Sequence, residues 1–201
     1  MQAIETAVQR PDAPIVPATA RGEATRRRLL AAAEEEFGHK GFHAASVSSI
    51  TLRAGVGQGT FYLYFRSKEE IFTTLVQDIG STLRRQMRDA AAACRNSAEA
   101  GRGRLESFLG FAQTHPGLFR IVQESQFVDE AAFREYYERL AQDFCAGLPG
   151  ATDERAWAVM GIGHFLGMRH CLWQEQKPDP ATLTLIMDLI GSGSAAGYAS
   201  D

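Results

Sequence analysis

Between Thr25 and Phe37 the apolar residues Leu29, Leu30, Ala33 and Phe37 recur at helical spacing, with Gly38 and Gly41 beyond them as stops, so the pattern predicts a first helix. After the loop GHKGFHAA, Ser46 is placed to cap a short helix that turns Val47, Ile50 and Ala54 inward and ends at Gly55-Val56-Gly57. A second short helix is expected over Gln58 to Phe65. Two short helices across a brief glycine-containing turn are a helix-turn-helix signature. Ser67-Lys68-Glu69-Glu70 then reads as a capping box, in which the serine hydroxyl and the Glu70 carboxylate each satisfy an amide at a helix start. The long helix it opens carries the stripe Ile71, Phe72, Leu75, Val76, Ile79, Leu83 and Met87, which fades into the run 90–93 and the glycine-rich segment 101–103.

Further helices are expected over Leu105 to Thr114, Leu118 to Ser125, Glu130 to Leu148, Asp153 to about Gln176, and Ala181 to about Ile190. His115-Pro116-Gly117 and Pro149-Gly150 separate them, Thr152 caps the fourth, and Asp179-Pro180 sets a cap before a first-turn proline in the fifth. No segment alternates as a half-buried strand does, so the chain reads as all-α. The expected architecture is an N-terminal three-helix helix-turn-helix domain, joined by a long helix to a C-terminal helical domain. The expected division is an arm at 1–20, the helix-turn-helix unit at 21–67 and the helical domain at 68–201.

At 201 residues, 45% hydrophobic and 22% charged, the chain has the make-up of a soluble globular protein with room for a sizeable core. Residues 1–20 hold three of the seven prolines and no periodic apolar face, which predicts a disordered arm. It reads as a tail, or as an arm touching DNA through Arg10 and Arg21. Cys94, Cys145 and Cys171 form no CxxC pair, and an odd number cannot all pair within one chain, so a reduced, cytoplasmic setting is expected. The N-terminus lacks a signal-peptide core. The most hydrophobic later stretch, Ala156 to Met168, is interrupted by His164 and falls short of the ~20 residues a membrane span needs.

The formal charge of −3 is unevenly spread: residues 21–70 carry eight Lys/Arg against six Asp/Glu, residues 81–201 twelve against fifteen. The basic excess therefore coincides with the helix-turn-helix. There the second helix, QGTFYLYF, sets small and polar residues ahead of aromatics, which suits a helix whose first turn approaches base edges. Gly59 and Thr60 leave room, Gln58 is suited to an adenine edge, and the Thr60 methyl to a thymine methyl. The hydroxyls of Tyr62 and Tyr64 suit phosphate oxygens, and Lys68 adds a cation at the head of the next helix. Phe61 and Phe65 read as core. Arg26, Arg27 and Arg28 are either a solvated face or a source of one phosphate contact.

On these residues, from Thr25 to Ile79 and above all GFHAASVSSITLRAGVGQGTFYLYFRSKEEIF, the chain resembles the N-terminal domain of TetR-family transcriptional regulators. The motif elements occur in order: glycine-aromatic, hydroxyl residues, an isoleucine helix, AGV, GTFY, an aromatic pair and SKEE. The resemblance implies that Ser46 caps its helix against a phosphate, that Gln58, Gly59, Thr60 and Tyr62 lie on the recognition helix, and that Tyr64 and Lys68 meet backbone phosphates. Two positions depart from the motif: Ala45 stands where the family often has a hydroxyl, and Thr51 where it often has alanine.

Behind this unit no catalytic set appears. Gly55-x-Gly57-x-Gly59 has neither the preceding strand nor the GK[ST] of a phosphate loop. His164 and Cys171, seven residues apart on one helix face, read as core or pocket residues in preference to a metal pair. Neither metal nor cofactor is expected. What the region has is aromatic and sulfur-bearing bulk with polar members such as Gln123 and Gln126 among it, most of it core and some of it suited to lining an apolar cavity. The candidates are Phe108, Phe111, His115, Phe119 and Phe127, with Tyr136, Tyr137, His164, Phe165 and Met168. In the resembled family this domain binds a small effector and supplies the dimer contact, and HPGLFRIVQESQFVD, FREYYERL and GIGHFLGMRHCLW look similar to a subset of those regulators.

The last two helices carry more apolar surface than one bundle needs, so a homodimer contact is expected through Trp157, Met160, Gly161, Gly167, Leu172, Leu183, Ile186, Met187 and Ile190. A two-fold dimer would present its reading helices to successive major grooves. The expected function is thus a ligand-responsive, sequence-specific DNA-binding regulator, a repressor released from a palindromic double-stranded operator by a small apolar or aromatic effector. The alternative is an enzyme or small-molecule-binding protein using the aromatic pocket.

Overall fold

The computed structural model describes residues 19–147, 152–176 and 178–192, and among these all regular structure is helical. Helix α1 (Ala20–Ala44) starts earlier than the apolar spacing predicts, because the Thr19 hydroxyl accepts the Gly22 amide at 3.1 Å and adds a polar first turn. Thr19 and Ala20 therefore belong to the helix start, and the rest of the expected arm lies outside the described residues. Of the two expected stops only Gly41 interrupts the helix, with a φ of +78°, after which α1 makes one last turn to Ala44. Gly38 is helical and buried; a Cβ there would lie 3.0 Å from the Gly117 backbone, so its role is close approach between helices.

Helix α2 (Val47–Ala54) opens with Ser46 and Ser49 each accepting the other's backbone N–H, and closes at Gly55 with φ +65°. Helix α3 (Gln58–Phe61) is shorter than expected: past it the Leu63 and Tyr64 amides bond the Thr60 and Phe61 carbonyls, tight turns that carry the chain to Phe65. Helix α4 (Lys68–Ala92) is capped as the sequence predicts, Ser67 accepting the Glu70 amide while Glu70 accepts that of Arg66.

Helix α5 (Ser97–Thr114) begins well before Leu105. Asn96 accepts the Glu99 amide and Glu99 accepts that of Arg95, which outweighs the low helix propensity of Gly101 and Gly103. Gly103 has its own reason to be small: a Cβ would sit 3.4 Å from the Ala90 carbonyl. Helices α6 (Pro116–Val128) and α7 (Glu130–Gly147) follow, the expected Pro149-Gly150 stop lying outside the described residues. Helix α8 (Asp153–Leu166) runs into a π-helical segment at Gly167–Trp173, and α9 (Pro180–Ser192) ends the described chain.

One hydrophobic core extends through the molecule. At the front Phe37 and Phe42 each meet Phe72 edge-on, with ring centres 5.2 and 5.0 Å from it, and close the helix-turn-helix against α4. Farther along α4, Leu83 and Met87 are fully covered by the helices behind.

The buried carboxylate of Glu36 ties α1 to α2. It accepts from Lys40 at 2.6 Å and from Arg53 at 2.8 Å, and Arg53 also reaches Glu35. The Lys40 bond, with Ser49 and Arg53 beside it, lowers the Glu36 pKa from 4.5 to about 2 despite burial. A depressed carboxylate pKa stabilises the fold above the unfolded value and loses that contribution as the pH falls through the folded one. Glu36→Gln is therefore expected to lower stability at pH 7 by about 1–3 kcal/mol. In urea melts the gap between variant and parent should shrink as the pH drops from 4.5 towards 2.

Candidate functional site

The short helices put an irregular but well-held surface at one end of the molecule. Gln58, Gly59 and Tyr62 are exposed, Thr60 and Tyr64 half-buried, and Phe61 and Phe65 are core, as their spacing suggests. Cβ atoms added at Gly57 or Gly59 would meet nothing within 4 Å, and neither residue has a positive φ. Nothing inside the chain, then, requires glycine at these two places. Two residues missed in the sequence belong to the same end: Leu52 and Leu63 are 83% and 65% exposed. The apolar spacing assigns neither of them a face, and the burial shows that both point outward.

Two of the cations near this surface, Arg26 and Lys68, are already engaged within the fold. The Arg26 guanidinium lies 5.4 Å from the Phe65 ring centre, while Arg27 and Arg28 are exposed. Lys68 Nζ donates to the carbonyls of Phe42 (2.9 Å) and Ala45 (3.0 Å) and sits 4.2 Å from the Phe42 ring centre. Two of its three donors are thus spent inside the fold, leaving one for an outside anion. Ala45 is buried, and buried Thr51 bonds the Ser48 carbonyl.

Behind, α6, α7 and α8 frame a cleft of about 900 Å³. Of the expected pocket residues it collects Phe127, Tyr137, His164 and Met168, together with the polar Gln123 and Gln126, and it adds Phe133 and the charged side chains of Arg120, Glu124, Glu130 and Arg134. Charged residues at helical spacing look like a solvated face, which is why these were missed. Phe108, Phe111, Phe119 and Tyr136 instead lie in the core, where the back of the bundle needs their volume. His115 is exposed at the α5–α6 joint, its ring 4.9 Å from that of Phe111, and Phe165 is exposed away from the cleft.

The residues expected at a dimer contact also divide. Trp157, Met160 and Gly161 line the cleft. Gly167 faces inward, where a Cβ would come 3.1 Å from Phe119, and Leu183 and Ile186 are buried because the stripe of α9 covers this chain's own α5. Leu172 and Met187 are half-buried, and the Ile190 side chain lies outside the described residues. Among the described residues behind the front unit, the large apolar groups that stay exposed are Phe127, Trp157, Phe165, Trp173 and Leu185.

The deep part of the cleft is polar yet uncharged. Tyr137 Oη lies 2.8 Å from His164 Nδ1; burial raises the phenol's pKa and lowers that of the imidazole, so both stay neutral. Beside them the buried amide nitrogen of Gln123 has no hydrogen-bond partner among the described residues. The exposed charges lie at the rim, where Arg134 pairs with Glu130 at 2.8 Å, while the carboxylate of Glu124 is half-buried. Two hydrogen bonds link the cleft walls to the front: Glu124 accepts the Phe42 N–H at 2.8 Å, and Thr73 on α4 donates to Asp129, at the α6–α7 joint, at 2.6 Å.

The described residues contain no group of three or more His, Cys, Asp or Glu able to hold a metal, and no described helix is long and apolar enough to cross a membrane. His164 is expected to titrate below 6.5 when its ring signals are followed by NMR, since burial disfavours the imidazolium. A midpoint above 6.5 would contradict the packing around it.

Residues 29–75 match the TetR_N family, bacterial regulatory proteins of the tetR family. Over 65 residues the chain is 51% identical to the uncharacterized HTH-type transcriptional regulator YdgC of Bacillus subtilis (strain 168), covering 32% of this chain and 33% of that relative. The match thus spans about a third of the curated relative's length. Among solved structures, a TetR-like transcriptional regulator from Rhodococcus sp. RHA1 aligns with a TM-score of 0.70 at 24% identity, over 86% of this chain and 97% of that one. The regulator FadR from Bacillus subtilis, in complex with stearoyl-CoA, aligns at 0.66 and 21% identity, over 83% and 98%. At these identities the likeness is one of fold, and it takes in the C-terminal helices as well as the front unit.

Proposed function

We propose, from the premise that this chain is a TetR-family transcriptional regulator, that it acts as a homodimeric repressor whose hold on a near-palindromic operator is released by a small, largely apolar effector. The observation that carries the reading is the front surface, where Gly57 and Gly59 have no internal reason to be glycine and Gln58 and Tyr62 stand exposed on the same short segment. A close approach from outside supplies the missing reason. In this reading residues 21–67 bind DNA and 68–201 hold the effector and the dimer contact.

Gln58, Gly59 and Thr60 then face base edges, Tyr62, Tyr64 and the Ser46 end of α2 face phosphates, and exposed Leu63 offers apolar contact to a thymine methyl or a sugar. Lys68 acts mainly by pinning the connector ahead of α2, with its remaining donor for a phosphate. The effector lodges in the α6–α8 cleft, its apolar body against Phe127, Phe133 and Trp157. A polar group on it meets Gln123 and the His164–Tyr137 pair. Dimerisation uses the apolar groups left exposed on α8, the π-helical segment and α9, chiefly Phe165, Trp173 and Leu185.

An effector need favour the DNA-incompetent arrangement by only a few kcal/mol, since ~1.4 kcal/mol is tenfold in affinity. Tyr62→Ala is expected to weaken binding about tenfold to a duplex enriched from a random pool by the parent protein, with the circular dichroism unchanged. Binding by the parent should itself fall by orders of magnitude between about 50 and about 200 mM salt. A thermal-shift screen that includes acyl-CoA thioesters, one of which occupies the FadR neighbour, tests the cleft. A ligand held only by the folded state raises the melting point, and a true effector also lowers duplex affinity.

A further inference from the structure

Phe42 is held from two sides by charged groups from distant parts of the chain. Its N–H donates to Glu124 Oε2 at 2.8 Å, and Glu124 lines the cleft. Its carbonyl accepts from Lys68 at 2.9 Å, and the same ammonium bonds the Ala45 carbonyl at 3.0 Å. Ala45 immediately precedes the Ser46 cap of α2, and Lys68 is the first residue of α4. The connector 42–46 is therefore anchored at one end to the cleft wall and at the other to the two helices that frame the DNA-reading unit. Gly41 is shaped to the same purpose: it turns with φ +78°, and a Cβ on it would fall 2.6 Å from Glu124 Oε1.

We infer that Glu124 is the positioning residue through which the cleft's occupancy reaches the helix-turn-helix, and that the effector carries a hydrogen-bond donor or cationic group on its apolar body. Such a group draws the carboxylate into the cleft and takes the acceptor away from the Phe42 N–H. A part-buried amide without a partner is costly, so the connector moves, and with it the carbonyls that orient Lys68 and the cap of α2. The inference rests on the regulator reading above and concerns how its two ends communicate.

Substitution isolates this link without an effector in hand. The full-length parent, Glu124→Ala and Glu124→Gln are compared by fluorescence anisotropy on a duplex enriched by the parent from a random pool, and by hydrogen exchange of amides 42–46. Glu124→Ala is expected to bind the duplex about tenfold more weakly, a coupling of ordinary size between sites, and to exchange its Phe42 amide faster. In Glu124→Gln the side-chain oxygen still accepts, so duplex affinity is recovered relative to Glu124→Ala. Gly41→Ala, which displaces the same carboxylate from the opposite side, is expected to reproduce the loss. Duplex affinity equal to the parent's in Glu124→Ala and Gly41→Ala, or unchanged exchange at Phe42 in Glu124→Ala, overturns the inference and leaves the regulator reading standing. A parent that binds no duplex from the pool overturns that reading, and the inference falls with it.

Discussion

At Gly41 a positive φ breaks α1 ahead of its last turn, and the peptide groups of Phe42 just beyond it find their partners outside the helix. Carboxylate from one side and ammonium from the other take up those groups, and the Phe42 ring fills the space between α1 and α4. The orientation of α2, and through it of α3, depends on this joint. A helix-turn-helix of such short pieces has little area of its own to bury. Its geometry is set by what it leans on: the aromatic cluster of Phe37, Phe42 and Phe72, and the Glu36–Arg53 pair that holds α2 to α1.

The same joint explains why α6 matters to both ends. Gly38 and Gly117 let α1 and α6 approach backbone to backbone, so a shift of α6 cannot be absorbed by yielding side chains at that point. One end of α6 meets α1 at this glycine pair, and its last turns carry cleft-lining Gln123, Glu124 and Phe127. A helix so placed touches both α1 and the cleft directly. Thr73 and Asp129 add a second tie, directly from the α6–α7 joint to α4.

The cleft itself separates kinds of polarity by depth. Its interior offers neutral hydrogen-bonding groups, because burial disfavours both the imidazolium of His164 and the phenolate of Tyr137. Arg120, Glu130 and Arg134 carry charge at the rim, where solvent screens it, and the half-buried carboxylate of Glu124 is held by the Phe42 N–H. An apolar molecule with one or two polar groups suits that gradient, whereas a highly charged one would lose its hydration at the inner wall without recovering it.

Helix identity was readable from the sequence because caps, glycine stops and apolar spacing are local properties: Ser46, Gly55 and Ser67 do in the structure what their neighbours in the chain imply. The front unit stood out for the same reason, its motif being contiguous. The helix starts at Thr19 and Asn96 were passed over because their first turns are polar or glycine-containing and show no apolar face. The cleft was only partly readable, since twelve phenylalanines look alike along the chain and burial alone distinguishes Phe119 in the core from Phe127 at the cleft. Glu124 was invisible beforehand: its partner lies 82 residues away, and no periodicity marks a carboxylate that accepts from another helix's end. Short-range chemistry therefore set the elements and the helix-turn-helix motif, while the choice among equivalent side chains belonged to packing, which brings distant residues together on a scale that local pattern does not encode.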